Sequence, residues 1–239
     1  MEAKLPVKTS QSRRVVSCQL IERQPKKMSA EILTQIPKSG DYPEKHFGEN
    51  FNSQLWVKFV DNDDIEWVGC FPRQYENFDK VETNLTNETA FIIAGGKGFL
   101  VDIQKRELCY ELDEIPVIES LIVTTNPEYY LVGACYYIYI FDSRQLLKCY
   151  EPNFIVDGIY LTEQLGHKAI GHLYSYQFSQ DYNVGFEFDI LTNELTINKK
   201  VKYRQLKNFQ FEAITEKPKT DNIFTKIIKR ITNIEKPNS

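Results

Sequence analysis

The chain has 239 residues, 42% of them apolar and 13% aromatic, and a formal net charge of −4. This length supports one domain with a sizeable core, and the many Tyr and Phe residues favour half-buried, pleated strands. No uncharged apolar run approaches the roughly 18 residues of a spanning helix, and residues 1–20 contain no apolar signal-peptide core. We therefore expect a cytoplasmic protein, not a membrane-inserted or secreted one.

The charge is distributed unevenly along the chain. Residues 1–50 carry 9 Lys and Arg against 6 Asp and Glu, residues 51–197 carry 9 against 23, and residues 198–239 carry 11 against 4. The three net charges are thus +3, −14 and +7. Phosphate binding needs clustered cations, so we expect no nucleic-acid contact by the acidic body. An acidic body of this kind favours a basic protein partner.

The cysteines indicate a reducing compartment. There are five, an odd number, and none forms a Cys-x-x-Cys pair, so the sequence predicts neither a disulfide framework nor a zinc module. We interpret them as reduced thiols: Cys18, Cys70, Cys109, Cys135 and Cys149.

The first fifty residues are predicted to form a basic extension with little regular structure. Weak alternation over residues 14–22 permits a strand. Ser29 stands where a helix N-cap would, apolar residues follow it, and Pro37 would end the helix. The pattern therefore predicts a short helix over residues 29–36, followed by a loop.

The clearest local signal is a hairpin over residues 55–71. Two runs rich in aromatic and β-branched residues flank the polar stretch Asp61-Asn-Asp-Asp64, which predicts two antiparallel strands joined by a four-residue loop. Residues 81–89 are polar and are predicted to be a connection. The glycines of Ala94-Gly-Gly-Lys-Gly98 predict a tight hairpin turn. They lack the spacing and the following Ser or Thr of a phosphate-binding loop.

A repeat with an offset of 40 residues follows. Laying residues 90–111 over residues 130–151 aligns Ala94 with Ala134 and the Cys-Tyr-Glu triplet at 109–111 with the triplet at 149–151. A looser third copy places Phe188-Asp189 opposite Phe141-Asp142. Units of about 40 residues made of short strands are typical of propeller blades. We therefore predict a mainly β body, a propeller-like stack of antiparallel sheets over residues 51–215, with an irregular β-sandwich or barrel as the alternative.

The C-terminal residues change character. A last strand is predicted over residues 209–214, and Pro218 marks a boundary. Beyond it, apolar residues recur at three-and-four spacing with cations on the other side, which predicts a basic amphipathic helix in the tail, residues 216–239. It could contact a membrane or a partner groove through Ile223, Phe224, Lys226, Ile227, Lys229, Arg230 and Ile231.

The sequence contains no assembled catalytic or metal-binding motif. His167 and His172 are five apart with no Cys at ligand spacing, so we interpret them as turn or surface histidines. The acidic residues could supply a calcium loop or paired catalytic carboxylates, but the motif residues of a calcium loop are missing. We expect no cofactor and no metal. The candidate partner-binding residues are Asp61, Asp63, Asp64, Glu111, Asp113 and Glu114, with Glu119 nearby in the sequence.

Several segments together resemble a poorly characterised group of bacterial β-rich proteins. The resemblance covers about residues 55–195 and lies in Leu55-Trp-Val-Lys-Phe, Glu66-Trp-Val-Gly, residues 136–142, Asp157-Gly-Ile and residues 185–195. It implies a propeller-like scaffold and carries over no catalytic residues.

The leading hypothesis is a non-catalytic bacterial protein-binding module whose acidic body engages a basic protein. A toxin-neutralising immunity protein is its most concrete version. One alternative is a scaffold or peripheral membrane adaptor anchored by the C-terminal helix, and a second is a carboxylate-dependent hydrolase.

Overall fold

The computed structural model describes residues 28–49, 53–75, 78–84, 86, 88–112, 117–126, 128–205 and 211–214. Within these ranges all regular secondary structure is β, seventeen strands in four sheets. The prediction of a mainly β protein is confirmed.

Sheet 1 contains the predicted hairpin and has four strands, β1 (Ser29–Ile32), β2 (Glu44–His46), β3 (Gln54–Val60) and β4 (Glu66–Pro72). β3 and β4 pair antiparallel from Gln54↔Pro72 to Val60↔Glu66, β1 pairs antiparallel with β3, and the short β2 runs parallel to β4. The strand order is β1-β3-β4-β2.

Sheets 2 and 3 are the two copies of the 40-residue repeat. Each is a four-stranded antiparallel meander whose strands follow in chain order. The aligned residues Ala94 and Ala134 end equivalent second strands. Sheet 2 consists of β5 (Lys80–Asn84), β6 (Thr89–Ala94), β7 (Lys97–Asp102) and β8 (Glu107–Leu112). Sheet 3 consists of β9 (Ile118–Val123), β10 (Tyr130–Ala134), β11 (Ile138–Phe141) and β12 (Leu146–Tyr150).

Sheet 4 follows the same meander and adds a fifth strand. Phe188-Asp189 end its third strand and Phe141 ends the third strand of sheet 3, as the looser repeat predicted. The predicted last strand is present as β17 and pairs with β16. The strands are β13 (Ile159–Leu165), β14 (Lys168–Leu173), β15 (Asn183–Asp189), β16 (Glu194–Gln205) and β17 (Phe211–Ala213).

The hydrophobic core lies in three layers between successive sheets. Along β6, Ala90 and Ile92 pack in the layer between sheets 1 and 2, whereas Phe91 and Ile93 pack in the layer between sheets 2 and 3. A third layer lies between sheets 3 and 4 and contains Leu131 and Phe186, among others. Because both faces of the middle sheets are covered, their central strands are continuous apolar runs and do not alternate.

The first strands of successive sheets lie side by side. β1 contacts β5, β5 contacts β9, and β9 contacts β13. Side-chain hydrogen bonds link these strands between residues that are 39 to 41 positions apart in the sequence, close to the repeat length. Lys80 Nζ donates to Leu121 O at 2.6 Å. Ser120 Oγ donates to Ile159 O at 3.0 Å and accepts from the Leu161 amide at 2.8 Å. The stacking of the sheets is therefore fixed by polar bonds as well as by apolar packing.

Replacing Ser120 with Ala should destabilise the fold by about 2 kcal/mol, because it leaves the buried Ile159 carbonyl and Leu161 amide without this partner. Urea unfolding monitored by circular dichroism measures the loss. Thr162→Val is the matched control. Its hydroxyl donates to Ile170 O at 3.0 Å from an exposed position, so its cost should stay within about 0.5 kcal/mol. Equal costs for the two variants would contradict the bridging role of Ser120.

Two local predictions were wrong. Ser29–Ile32 form strand β1 and not the start of a helix, because Ala30 and Ile32 pack on the first core layer while the backbone pairs with β3. Tertiary pairing of this kind outweighs a local capping signal. The polar segment predicted as a connection contains β5, whose side chains are mostly half-buried. The predicted strand over residues 14–22 and the helix beyond Pro218 lie outside the described residues.

Candidate functional site

A cavity of about 530 Å³ opens at one end of sheets 3 and 4. Three connecting segments meet there: the β10–β11 turn, the β12–β13 connection and the β14–β15 connection. The cavity is lined by Tyr136, Tyr137, Glu151, Pro152, Asn153, Phe154, Ile155, Val156 and Gln177. Its volume is within the range of small-ligand pockets.

Backbone hydrogen bonds between the three segments hold the cavity wall. The Asp157 amide donates to Tyr174 O at 2.8 Å, the Gly158 amide donates to Cys135 O at 2.8 Å, and the Tyr174 amide donates to Gly158 O at 3.0 Å. Gly158 has a φ of 122°, and a Cβ there would stand 3.0 Å from both Glu119 Oε2 and the Tyr160 ring. Glycine is therefore required where the connection enters β13.

Side chains complete the wall. Ser175 Oγ donates to Ile155 O at 2.6 Å, and the rings of Phe154 and Phe178 pack edge to face with centroids 5.0 Å apart. Lys199 Nζ lies 5.1 Å from the centroid of the Phe178 ring. The two longer connections are thus joined to each other by packing as well as by hydrogen bonds.

Large apolar side chains are exposed around the mouth of the cavity. The exposed fraction is 47% for Tyr136, 70% for Ile155 and 63% for Tyr176. We call the surface formed by Tyr136, Tyr137, Phe154, Ile155, Tyr174 and Tyr176 the aromatic rim. Exposed aromatic and apolar residues grouped around a cavity are typical of an interaction site.

The aromatic rim is flanked by carboxylates. Glu151 and Asp157 are both exposed, and neither forms an ion pair with any residue that the structure describes. Asp157 also affects the half-buried Cys135 nearby. Burial, followed by the carboxylates of Glu119 and Asp157, raises the pKa of the Cys135 thiol to about 11. The surface around the cavity therefore carries exposed carboxylates as well as apolar side chains.

A buried carboxyl group lies at the junction of sheets 3 and 4, next to this surface. Glu119 Oε1 accepts from the Tyr160 hydroxyl at 3.0 Å, and Oε2 is buried without a hydrogen-bond partner. Burial raises the pKa of Glu119 to about 7, the bond from Tyr160 opposes that shift, and Asp157 adds to it. Glu119 is thus a carboxyl group whose charged form is disfavoured by its surroundings.

The Tyr160 ring belongs to a cluster of rings that pack around His172. The His172 ring centroid lies 4.9 Å from that of Tyr160, 4.5 Å from that of Tyr203 and 4.2 Å from that of Phe211. The Asn183 amide donates to His172 Nδ1 at 3.1 Å. Burial lowers the pKa of His172 to about 4, so the ring is neutral at pH 7. Its contact with Phe211 packs β17 against the sheet.

The two histidines are not neighbours in space. His167 is exposed at the β13–β14 turn and lies 3.1 Å from Asp189 Oδ2, whereas His172 is buried near the other end of β14. Among the described residues, no group of three His, Cys, Asp or Glu side chains is placed to hold a metal ion. Cys70, Cys109, Cys135 and Cys149 are free thiols. Cys18 lies outside the described residues.

The acidic hairpin tip has a structural role. Asp61 is buried, and its Oδ1 accepts from the amides of Asp63 at 3.0 Å and Ile65 at 2.9 Å. Asp63 Oδ2 accepts from Gln104 Nε2 at 3.0 Å, and Asp64 adopts a positive φ of 59°. Asp61 therefore closes the turn, as aspartate commonly does. Asp63 and Asp64 are exposed.

Of the candidate partner-binding residues, those that the structure describes do not lie together. The hairpin tip lies beside the turn that begins β8, where Arg106 is 3.6 Å from Asp61. Glu111 lies near the far end of β8, paired with Lys97 at 2.6 Å. Asp113 and Glu114 lie outside the described residues, as do Ile223, Phe224, Lys226, Ile227, Lys229, Arg230 and Ile231.

The sequence analysis missed the aromatic rim. Its signal was present in segments that carry aromatic and apolar residues outside the strands, namely residues 135–137, 151–156 and 174–178. Which connections share one end of the stack depends on strand direction, and this became known only once every strand was placed.

Fold and site together define a mainly β protein of four stacked sheets, with an aromatic surface flanked by carboxylates at one end. The described residues contain no helix of the length and apolarity that a membrane span requires. No protein-family model and no curated protein matches this sequence. Among solved structures, the computationally designed Ika8 protein is similar, with a TM-score of 0.31 and 13% identity, over 72% of this chain and 70% of that one. A likeness at that level supports no conclusion about function.

Proposed function

We propose that this chain is a non-catalytic protein-binding module, propeller-like in build, whose aromatic rim recognises a basic protein. The observation that carries the proposal is the exposure of Tyr136, Ile155 and Tyr176 around a cavity flanked by the carboxylates of Glu151 and Asp157. Exposed aromatic residues supply the apolar contacts of an interface. Unpaired carboxylates supply complementarity to a cationic partner.

A propeller-like arrangement is supported by the order of the sheets. Four sheets follow one another along the chain, three of them fully antiparallel, and their first strands are neighbours. In such an arrangement the connections at one end of the strands gather on one face. This accounts for a binding surface made from three segments that are distant in sequence, residues 135–137, 151–158 and 174–182.

The charge of the body supports a cationic partner. Residues 51–197 carry a net charge of −14, from 9 Lys and Arg against 23 Asp and Glu. A field of this sign accelerates encounter with a basic protein and weakens as salt increases. The most concrete version of this function is a bacterial, cytoplasmic immunity protein that neutralises a basic toxin.

The test compares charge removal at the two ends of the stack. The variant Glu151→Gln with Asp157→Asn removes two negative charges beside the aromatic rim. It should weaken binding of a lysine- and arginine-rich peptide about tenfold at low salt. Fluorescence anisotropy of the labelled peptide measures the affinity.

The matched control removes two negative charges from the hairpin tip. Asp63→Asn with Asp64→Asn leaves the net charge equal to that of the rim variant, and asparagine tolerates the positive φ of Asp64. The control should lose no more than about twofold in affinity. Equal losses in both variants would show that binding follows net charge and would overturn the assignment to the aromatic rim.

A further inference from the structure

We propose that the cavity within the aromatic rim takes one arginine side chain of the partner as the anchor of the complex. The inference rests on the proposed function and adds the identity of the anchoring residue. A cavity of about 530 Å³ has room for one long side chain together with the backbone that carries it. Interfaces commonly depend on a few such residues inserted into pockets.

The lining suits a planar cation. The rings of Tyr136 and Tyr137 both line the cavity and are nearly perpendicular, at 89°, with centroids 6.3 Å apart. A guanidinium group stacks on aromatic faces and donates in a fork to a carboxylate. Glu151 is the carboxylate on this lining, and Asn153 and Gln177 add amide oxygens that accept hydrogen bonds.

The same wall already holds a cation against an aromatic ring. Lys199 Nζ lies 5.1 Å from the centroid of Phe178, which packs against the cavity-lining Phe154. The contact is an internal example of the interaction that the anchor would make on the cavity side.

Other classes of side chain suit the cavity less well. An apolar side chain would cover Glu151 without supplying a partner for its charge, which is costly. An anionic side chain would be repelled by the carboxylate of Glu151 in the lining. Lysine would satisfy the charge, but its ammonium group neither stacks as a plane nor donates in a fork. The lining therefore favours arginine.

The experiment uses peptides that differ at a single position and variants that differ only in where a ring is added. A basic peptide with one arginine is compared with versions carrying lysine or citrulline at that position. Gln177→Trp fills the cavity, and Gln180→Trp adds the same ring to an exposed position three residues further along the same segment. Anisotropy titration gives each affinity, and thermal unfolding shows that both variants fold.

The wild-type protein should bind the arginine peptide about tenfold more tightly than the citrulline peptide and more tightly than the lysine peptide. Gln177→Trp should abolish this preference and Gln180→Trp should keep it. The inference is overturned if the wild type shows no preference for arginine or if Gln177→Trp retains it. If Gln177→Trp binds basic peptides normally while Glu151→Gln with Asp157→Asn does not, the proposed function stands and only the anchor is wrong.

Discussion

Replacing Gly133 with Ala is expected to destabilise the protein by about 3 kcal/mol, because no space for a methyl group exists between sheets 3 and 4. A Cβ on Gly133 would stand 2.3 Å from Ser120 Oγ and 2.4 Å from Ile159 O. The second contact is with the backbone of β13 and has no rotamer to relieve it. The methyl group would also disturb the bond from Ser120 to Ile159. Denaturant unfolding at equilibrium measures the loss.

The matched control is Gly166→Ala. Gly166 has a φ of 63° and nothing within 4 Å of an added Cβ, so alanine there pays only for the left-handed backbone, about 1 kcal/mol. A Gly133→Ala variant no less stable than Gly166→Ala would show that the two sheets are further apart than the structure places them.

The Glu119→Gln variant is expected to gain stability relative to the wild type as pH rises from 4.5 to 7. The pKa of Glu119 is raised from 4.5 to about 7 in the fold, so over this interval the folded chain binds more protons at this site than the unfolded chain. Stability from this group is complete below pH 4.5 and is lost as pH rises through 7. The difference between variant and wild type should therefore widen by about 3 kcal/mol across the interval.

His172 gives the wild type an opposing trend on the acid side. Its pKa is lowered from 6.5 to about 4, so the stability it contributes is present above pH 6.5 and is lost as pH falls through 4. In Glu119→Gln, residue 119 no longer offsets the stability that His172 loses as pH falls. The free energy of unfolding should therefore change more steeply with pH below pH 6.5. Urea unfolding at a series of pH values measures both effects.

The control for the pH experiment is Glu163→Gln, which changes an exposed glutamate on β13. It should not reproduce the widening difference. A flat difference between Glu119→Gln and the wild type from pH 4.5 to 7 would contradict the burial of the Glu119 carboxyl between the sheets.

The placement of charge within the stack separates structural from interacting carboxylates. Asp61 is buried in its own turn and Glu111 is paired with Lys97, so neither offers a free charge to a partner. Glu151 and Asp157 are exposed beside aromatic side chains. A count of acidic residues along the sequence treats all four alike. Only their surroundings distinguish those that complete the fold from those that face outward.

Features set by near neighbours in the chain were predictable. The β3–β4 hairpin followed from two apolar runs around a polar tip, and the turn at Gly95-Gly96 has the positive φ values that its glycines predicted. The 40-residue repeat corresponds to whole sheets, because sheets 2 and 3 are each one continuous meander. Local alternation and turn chemistry are visible without knowledge of any distant contact.

Features set by distant contacts were not predictable. β1 carries a helix-capping signal and forms a strand because β3 pairs with it. The sequence of β5 looks like a connection because it is mostly polar. It forms the first strand of its sheet, where most of its side chains are half-buried. In both segments, partners that are distant in sequence decided the conformation.

The sequence by itself determined the fold class, the hairpin, the repeat and the electronegative body, since these depend on composition and on neighbours along the chain. The tertiary structure alone decided which segments form the aromatic rim and which of the described carboxylates are held by the fold. The β10–β11 turn and the two long connections meet because antiparallel strands return each of them to the same end of the stack. That meeting depends on the direction and order of all the strands at once.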